Sequence, residues 1–593
     1  MHGDLGMRRL MLGIAALGGC GSEPASQCDR GCAPEAQPVN STGYHGDARR
    51  LGWNDHEVEL VPSAISERGL TIRWQSPVLD AETIDGVTYP PHLYAVPLWV
   101  DEFERDGSSA RTIFAATSNG WVYAIEADER GCSRCGAAPG DVLWATRLVD
   151  AVPVGGLDGG MPLGVLSTPA LDLESGRLYV AALDRARGWL VFALDASDGG
   201  VVTDWPVALD DSVVSPLNLN GPATLQPADL VSQRGALGLS PEGDRLYVPF
   251  GTYRGDGVGW LVAIDIPTAM PSAAFSSAPW TEQSSNGGIW GAGGPAIDDD
   301  GDLWITTGNS PAASAMAANT WGNSLLHLDP ALRLLGTYTP FNYCWLDFSN
   351  MDLASSTPLL LPTLPGSPTP NTVAFGGKQG NVYLVDRDAL TPAGVARPAC
   401  SDAAQADRSL LPPDDQPQFG TRGPLNVFGP YSELFGQLDY AKMRSRLAYA
   451  ELRGQRWLFA AGATKASKDS EQSIPPAVAK LRVVAGAQAP AYLEIDAYAD
   501  AVAFVNPGSP SVSSNADGAG VVWVLDENAP RTASLLDPAT PGPILYAFDA
   551  DTLALLWRSE AGALARGGKY GTPLVAHGRV VVGTDRIVAL GLQ

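Results

Sequence analysis

The segment Leu545-Tyr-Ala-Phe-Asp-Ala-Asp-Thr-Leu-Ala-Leu-Leu-Trp557 joins an apolar and aromatic run to an aspartate-rich corner, and it ends in a tryptophan. An apolar run bounded by Asp and Thr predicts a β-strand that leads into a turn. The same order of strand and corner recurs along the chain, as in Leu194-Asp-Ala-Ser-Asp-Gly199 followed by Trp205. Such a repeat predicts an architecture built from similar units.

Eight units lie between residues 94 and 591, at a spacing of about 62 residues, which is longer than a WD40 blade. Five units are clear, and two less regular ones cover residues 445–496 and 520–557. The last unit, residues 570–590, stops after three strands. We expect Leu70-Thr-Ile-Arg-Trp74 to supply its fourth strand, because a blade shared by both ends of the body closes the ring and leaves no open sheet edge.

The sequence therefore predicts an all-β fold, an eight-bladed β-propeller closed by an N-terminal strand, with a seven-bladed ring as the alternative. Almost no stretch has helical periodicity. Four irregular stretches rich in Pro, Gly, Ser and Ala are predicted to be surface loops, namely residues 361–372, 388–440, 463–480 and 505–520.

The charge of the chain argues against a nucleic-acid partner. Its 593 residues include 39 Lys and Arg against 65 Asp and Glu, a formal net charge of −26. Binding to DNA or RNA requires a basic surface that releases counterions. Apolar residues make up 45% of the chain, which is enough for a large core.

The first twenty residues resemble a bacterial export signal. Arg8 and Arg9 precede an apolar run that is too short to cross a bilayer, and the run ends in Leu17-Gly-Gly-Cys20. A cysteine at this junction predicts a lipoprotein signal peptide over residues 1–20 with Cys20 as the lipidated residue; an ordinary cleaved signal peptide is the alternative. We assign residues 21–50 to a polar tether and residues 51–593 to a single propeller domain. We expect the protein in the cell envelope, anchored to the outer or inner membrane through the lipid only. Its propeller would face the periplasm or the cell surface.

The other six cysteines are even in number, as expected for disulfides in an oxidising compartment. The pairs 28/32, 132/135 and 344/400 are our expectation among fifteen possible pairings. Cys132-Ser-Arg-Cys135 is followed by Gly136 and not by His, so the c-type haem motif does not occur there.

The repeats resemble those of PQQ-type quinoprotein propellers, whose Asp-Ala-x-Thr-Gly-x-x-x-Trp motif is similar to Asp549-Ala-Asp-Thr-Leu-Ala-Leu-Leu-Trp557. In that family the tryptophan docks one blade on the next. The resemblance covers nearly the whole body. It implies the fold, but not the chemistry, because non-enzymatic lipoproteins share the repeat.

The catalytic members of the family are alcohol and methanol dehydrogenases that hold PQQ and calcium at the ring axis. The resemblance implies that Trp290, in Gly288-Ile-Trp-Gly291, forms the floor under the quinone. It implies that Asn309 is a calcium ligand, that Asp352 is the catalytic base with Asp347 as its rival, and that Lys378 contacts the quinone.

Several family features have no counterpart. The adjacent cysteine pair above the quinone is missing, and the calcium-binding Glu falls near Arg254, where only Asp256 is close enough to replace it. Each site residue also has a structural explanation: Trp290 as blade packing, Asn309 and Lys378 as turn residues, Asp352 as the entry to a strand.

Two functions therefore remain open. The first is a lipid-anchored binding or scaffold protein with a degraded active site, whose rim binds an envelope protein, a glycan or a small ligand. The second is a PQQ- and calcium-dependent alcohol dehydrogenase. Side chains that converge on an open mouth of the channel would favour the enzyme, and a plugged channel would favour binding.

Overall fold

Eight antiparallel sheets follow one another along the chain, and each is one blade of a propeller. This computed structural model describes residues 37–593 except 106–107, 131–136, 154–160, 253–256, 280–286, 311–318, 408–423, 429–442, 464–476 and 532. The predicted all-β, eight-bladed architecture is confirmed, and the seven-bladed alternative is wrong.

Every blade has four strands, ordered from the inner to the outer edge of its sheet. Blades 1 and 2 contain Leu98–Arg105, Ser108–Ala116, Trp121–Glu126 and Val142–Arg147, then Ala170–Asp172, Arg177–Asp184, Gly188–Asp195 and Val207–Leu209. Blades 3 and 4 contain Gly238–Leu239, Arg245–Thr252, Trp260–Asp265 and Met270–Ser276, then Ala296–Ile297, Leu303–Thr306, Leu325–Leu328 and Leu334–Tyr338.

The second half of the ring repeats this pattern. Blades 5 and 6 contain Leu359–Leu360, Thr372–Gly376, Asn381–Asp386 and Leu425–Asn426, then Ala448–Leu452, Gln455–Ala461, Val478–Gly486 and Ala489–Tyr498. Blades 7 and 8 contain Ser511–Ser514, Gly520–Asp526, Ile544–Asp549 and Leu555–Arg558, then Leu574–Ala576, Arg579–Gly583, Ile587–Leu592 and Leu70–Gln75.

The ring closes as the sequence predicts. Leu70–Gln75 pairs antiparallel with Ile587–Leu592, with Leu70 opposite Leu592. Both edges of the last blade are thereby used, and the described ring has no open seam.

Short elements decorate the blades. The helices among the described residues are α1 (Pro62–Arg68), α2 (Asp211–Val214), α3 (Tyr343–Phe348) and α4 (Asp402–Ala406), with single 3₁₀ turns at Ser215–Leu217, Leu353–Ser355 and Arg387–Ala389. The additional strands are Trp53–Asn54, Glu82–Ile84, Val87–Tyr89, Val152–Pro153, Pro162–Leu163, Val231–Ser232 and Thr391–Pro392. No helix in the described part is long and apolar enough to cross a membrane.

The core lies between neighbouring blades. Alternate residues of a strand pack toward opposite neighbours, as in blade 6, where Leu458 packs on blade 5 and Phe459 packs on blade 7. The repeat tryptophans add hydrogen bonds between blades: Trp144 Nε1 of blade 1 donates to Ala196 O at the corner of blade 2, at 3.0 Å. Each blade is therefore stabilised by both of its neighbours.

Two of the predicted loops contain strands. The stretch 505–520 includes Ser511–Ser514, the inner strand of blade 7, and its serines are buried. Ser513 Oγ accepts a hydrogen bond from Trp523 Nε1 at 2.8 Å. The stretch 388–440 includes Leu425–Asn426, the outer strand of blade 5. Apolar runs do not predict a polar strand such as Ser511–Ser514, because its buried side chains form hydrogen bonds instead of apolar contacts.

Residues 41–54, which we call the N-terminal plug, lie inside the ring. The sequence predicts a tether that extends to residue 50, whereas Tyr44, His45 and Arg50 are buried in the structure. Backbone hydrogen bonds join the plug to the inner strands of six blades, at Trp99, Leu171, Ile297, Leu360, Tyr449 and Val512. Side chains reach the other two, since Arg50 donates to Leu237 O and Asn54 donates to Val575 O. The plug thus contacts all eight blades.

Candidate functional site

The direction of the inner strands distinguishes the two ends of the central channel. The plug bonds to Leu171 and Ile297 near the turns where an inner strand meets the second strand, and we call this end the lower mouth. The connections that enter the inner strands, and those between second and third strands, lie at the opposite end, the upper mouth. Trp290 and Asp352 lie in connections of the first kind, and Asn309 and Lys378 in connections of the second kind.

The structure brings these four predicted residues together. The backbone N–H of Asn309 donates to Asp352 Oδ1 at 2.8 Å, and Lys378 Nζ forms an ion pair with Asp352 Oδ2. Lys378 Nζ also lies 5.4 Å from the centroid of the Trp290 ring, a distance typical of a cation–π contact. Of the three other predicted positions, Asp347 lies on α3, whereas Asp256 and Cys20 lie outside the described residues, as do the cysteine pairs 28/32 and 132/135.

Glycine allows this close approach. A Cβ atom on Gly308 would lie 2.6 Å from Asp352 Oδ1 and 3.1 Å from Trp290 Nε1. Any other residue at position 308 would push the Asp352 carboxylate and the Trp290 indole apart. The glycine of this motif therefore has a packing reason that does not depend on a ligand.

Asp352 is an ionised carboxylate. Burial alone would raise its pKa, but Lys378 and the hydrogen bonds from Asn309 and Trp290 lower the pKa below its ordinary value. Burial lowers the pKa of Lys378, and Asp352 offsets part of that effect. A carboxylate committed to an ammonium group is a weak base.

Asp347, the rival base, is in a different state. It lies on α3, and burial raises its pKa to about 7, against the opposing effect of Arg397. Its Oδ1 accepts from Ser310 N at 3.0 Å and from Asn323 Nδ2 at 2.6 Å, while Oδ2 is buried and has no hydrogen-bond partner among the described residues. A carboxyl group with these properties can take up or release a proton near neutral pH.

Cations and aromatic rings line the rest of the upper mouth. Arg234 Cζ lies 5.2 Å from the Trp290 ring centroid and 4.8 Å from that of Tyr570. Tyr570 is buried, which would raise its pKa, yet Arg234, Arg444, Arg531 and Lys569 lower it below the ordinary value. The mouth is therefore electropositive in a chain of net charge −26.

A buried carboxyl faces this cationic group from blade 7. Glu527 Oε1 accepts from Gly571 N at 3.2 Å, and burial raises the pKa of Glu527 to about 8. At neutral pH this group is mainly protonated, so it offers a hydrogen-bond donor and no negative charge.

Sequence reasoning missed Arg234, Glu527 and Tyr570. Arg234 and Tyr570 stand in connections that enter an inner strand, as Trp290 does, so their place in the repeat could have indicated an axial position. Glu527 follows the second strand of blade 7, the position that Asn309 has in blade 4. None of the three belongs to a local motif.

The described donors do not fit a calcium ion. Both oxygens of Asp352 are engaged, by Asn309 N and by Lys378 Nζ, and Asn309 Oδ1 accepts from Asn323 Nδ2 at 3.0 Å. An ammonium group at the carboxylate opposes a divalent cation. Within the described ranges no group of three or more His, Cys, Asp or Glu side chains could hold a metal ion.

The fold is that of the quinoprotein dehydrogenases. No protein-family model and no curated protein sequence matches this chain. Among solved structures, the quinohemoprotein alcohol dehydrogenase ADHIIG from Pseudomonas putida HK5 is similar with a TM-score of 0.54 and 14% identity, over 93% of this chain and 80% of that one. The enzyme from Comamonas testosteroni gives 0.53 and 14%, over 93% and 80%.

A europium-containing methanol dehydrogenase gives a TM-score of 0.54 and 14% identity, over 92% of this chain and 90% of that one. These structural similarities establish a shared eight-bladed quinoprotein-type propeller. The sequence identities are too low to transfer the chemistry, which depends on the residues of the site.

Proposed function

We propose that this protein is a binding propeller whose upper mouth takes a planar, multiply charged anion of the class to which PQQ belongs, without calcium-assisted chemistry. The observation that carries the proposal is the contact of Arg234 with both Trp290 and Tyr570, with Lys378 at the same indole. Flat aromatic surfaces stack on a planar ligand, and guanidinium and ammonium groups match its carboxylates.

The residues present fit such a quinone by their charge and by their aromatic rings. Trp290 would supply the stacking surface, and Arg234 and Lys378 would pair with carboxylate or carbonyl oxygens. Binding would also release Lys378 in part from Asp352, because one ammonium group then serves two anions. The quinone, when bound, supplies a hydride acceptor; the proposed function uses only its shape and charge.

The test is a titration of the whole protein with PQQ, with and without calcium, followed by tryptophan fluorescence. We expect saturable quenching at micromolar PQQ that is independent of calcium. Trp290→Phe should weaken it, whereas Trp121→Phe, in blade 1, should not. Lys378→Met and Arg234→Met should each weaken binding about tenfold or more, the usual size of a lost charge-assisted contact.

A matched control for the charge variants is Arg482→Met, which removes an exposed cation paired with Glu494 on blade 6. Equal losses in Arg482→Met and Lys378→Met would mean that only the overall charge matters. No quenching by micromolar PQQ in the wild-type protein would overturn the proposal.

A second candidate function is a PQQ-dependent alcohol dehydrogenase, favoured by Asp347. Its carboxyl, with a pKa of about 7 and one oxygen that has no partner among the described residues, has the proton affinity expected of a general base. Alcohol-dependent reduction of an artificial electron acceptor by the PQQ-loaded protein, lost in Asp347→Asn, would establish this function. Turnover that survives Asp347→Asn and stops in Asp352→Asn would assign the base to Asp352 instead.

Lipid anchoring and a partner at the rim complete the proposal. We infer a lipid anchor at Cys20 and an envelope protein, a glycan or a small ligand at the propeller rim, on the strength of the N-terminal sequence and the loop-rich connections. Incorporation of a labelled fatty acid that stops in Cys20→Ser would test the anchor. A water-soluble, unlabelled wild-type protein would contradict it.

A further inference from the structure

A strap of the chain crosses the upper side of blades 4 and 5. The strap, residues 391–407, begins with Thr391–Pro392, which pairs with the outer strand of blade 4 at Thr337 and Gly336. It continues to α4, which contacts α3. Cys400 of the strap forms a disulfide with Cys344 of α3, with a Cα–Cα distance of 5.6 Å. The predicted 344/400 pairing is thus present.

Arg397 connects the strap to the site. Its guanidinium lies 4.4 Å from the centroid of the Tyr343 ring on α3. Nη1 donates to Gly322 O at 2.6 Å, and Nη2 donates to Ser310 Oγ at 3.1 Å. Tyr343 in turn donates its hydroxyl to Pro398 O. One cation of the strap therefore contacts α3 and both ends of the 311–321 connection of blade 4.

These contacts meet at Asp347. Ser310, which Arg397 holds by its hydroxyl, donates its backbone N–H to Asp347 Oδ1 at 3.0 Å. Among the described residues, the ionisable groups that face Asp347 are Arg397 from the strap, Asp352 from the connection to blade 5 and Tyr343 from the same helix. Arg397 is the cation among them, and Lys378 is paired with Asp352.

We propose that the Cys344–Cys400 disulfide is a redox-controlled latch that holds Arg397 beside Asp347, so that a dithiol reductant releases the strap and loosens the Asp347 side of the upper mouth. Arg397 is then a positioning residue, because it acts on the site through Ser310 and Asp347. Neither the strap nor Arg397 belongs to the motifs that resemble the quinoprotein site.

The exchange reaction has a defined direction of attack. Cys344 is buried, with 4% of its surface exposed, whereas Cys400 is half-buried. A thiolate of an external dithiol attacks Cys400 Sγ, the disulfide bond breaks, and Cys344 leaves as a thiolate that takes up a proton. The second thiol of the reductant then attacks the mixed disulfide and frees Cys400. The protein gains two electrons and two protons, and the reductant becomes a cyclic disulfide.

The first experiment tests the latch by amide hydrogen exchange of the whole protein, before and after treatment with dithiothreitol, with the thiols counted by mass. We expect exchange in α3 and at Ser310 to become at least tenfold faster on reduction, while blades 1 and 2 are unchanged. Cys344→Ser/Cys400→Ser should exchange at the fast rate with no reductant and should not respond to it. This control distinguishes the effect of reducing the Cys344–Cys400 disulfide from any effect of reductant on the other cysteines.

The second experiment tests the positioning role of Arg397 in the oxidised protein. The protonated carboxyl band of Asp347, assigned by Asp347→Asn, is followed against pH in the infrared spectrum. Arg397→Met removes the cation, so the titration midpoint should rise by about one pH unit or more. Arg397→Lys keeps the charge and should restore most of the shift, which a purely structural role would not do.

Unchanged exchange at α3 after complete reduction would overturn the latch. An unchanged or lower midpoint in Arg397→Met would overturn the positioning role. The inference is independent of the proposed function, because neither readout requires PQQ or an alcohol to bind.

Discussion

The plug and the upper mouth of the channel treat buried charge in opposite ways. Around the plug, the hydrogen bonds that the buried Arg446 and Arg50 donate within the described part go to backbone carbonyls, among them Pro358 O and Leu237 O. At the upper mouth, Lys378 is paired with a carboxylate, and two further carboxyl groups have pKa values near neutrality. Carbonyls do not titrate, so these contacts of the plug do not respond to pH, whereas the upper mouth can respond to protons and ligands.

The largest test of this contrast is Arg446→Met. The guanidinium donates to the carbonyls of Thr357, Pro358, Arg49 and Arg50, and the substitution leaves these acceptors without their donor. We expect the free energy of unfolding to fall by about 4–5 kcal/mol, roughly one per carbonyl. The midpoint of urea unfolding measures it. Lys378→Met is the matched variant of the upper mouth: it leaves Asp352 buried without its cation, so its loss should shrink at low pH as the carboxyl takes up a proton. A loss in Arg446→Met that varies with pH in the same way would contradict the contrast.

The next effect depends on pH at the upper mouth. Burial raises the pKa of Glu527 from 4.5 to about 8, so the folded state keeps a proton that the unfolded state has lost between these values. Stability from this group is complete below pH 4.5 and is lost as the pH rises to about 8. Glu527→Gln should remove this loss. Between pH 4.5 and pH 8 the free energy of unfolding of the variant should therefore rise by about 3–4 kcal/mol relative to that of the wild type. Parallel urea midpoints for both proteins across this range would contradict it.

His45 of the plug should show a pH dependence of the opposite sign. Burial and the nearby Arg446 lower the pKa of His45 well below 6.5. The unfolded state therefore binds a proton that the folded state refuses, and stability is lost as the pH falls below 6.5. His45→Asn, which tolerates the left-handed backbone at this position (φ 58°), should reduce the loss of stability in acid, by an amount that grows as the pH falls below 6.5. Melting temperatures at pH 6.5 and below it would check this expectation.

The smallest effect concerns a contact between two blades, outside both the plug and the upper mouth. Trp144→Phe keeps the aromatic packing between blades 1 and 2 and removes the hydrogen bond to Ala196 O. We expect a loss of about 1 kcal/mol that is independent of pH and of PQQ. A pH-dependent loss would show that blade docking and the mouths are coupled.

The fold and the site differ in how far the sequence could predict them. The eight blades follow from alternating apolar strands and corners, each encoded within about 60 residues. The convergence of Trp290, Asn309, Asp352 and Lys378 follows from the order of motifs resembling the quinoproteins, although their roles remain predictions. Both depend on local patterns.

The plug, Arg234 and Arg397 could not be predicted in this way. The plug is polar and short, and its stability comes from partners as distant as Ser509 and Val575. Arg397 lies in a stretch without periodicity, and its neighbours Ser310 and Gly322 belong to another blade. Contacts of this kind have no signature in a single sequence, because they become visible only when the ring is closed.

The plug has a consequence for biosynthesis. Asn54 and its acceptor Val575 are 521 residues apart, so at about 5–20 residues per second the ribosome needs roughly half a minute to two minutes to deliver the partner. During that time neighbouring blades can form in order of synthesis. Leu70–Gln75, however, lacks its partner strand Ile587–Leu592, and the plug lacks a complete channel to bind in. The ring is therefore assembled around a segment that waits for the last blade, and the native topology can form only after that blade has emerged from the ribosome.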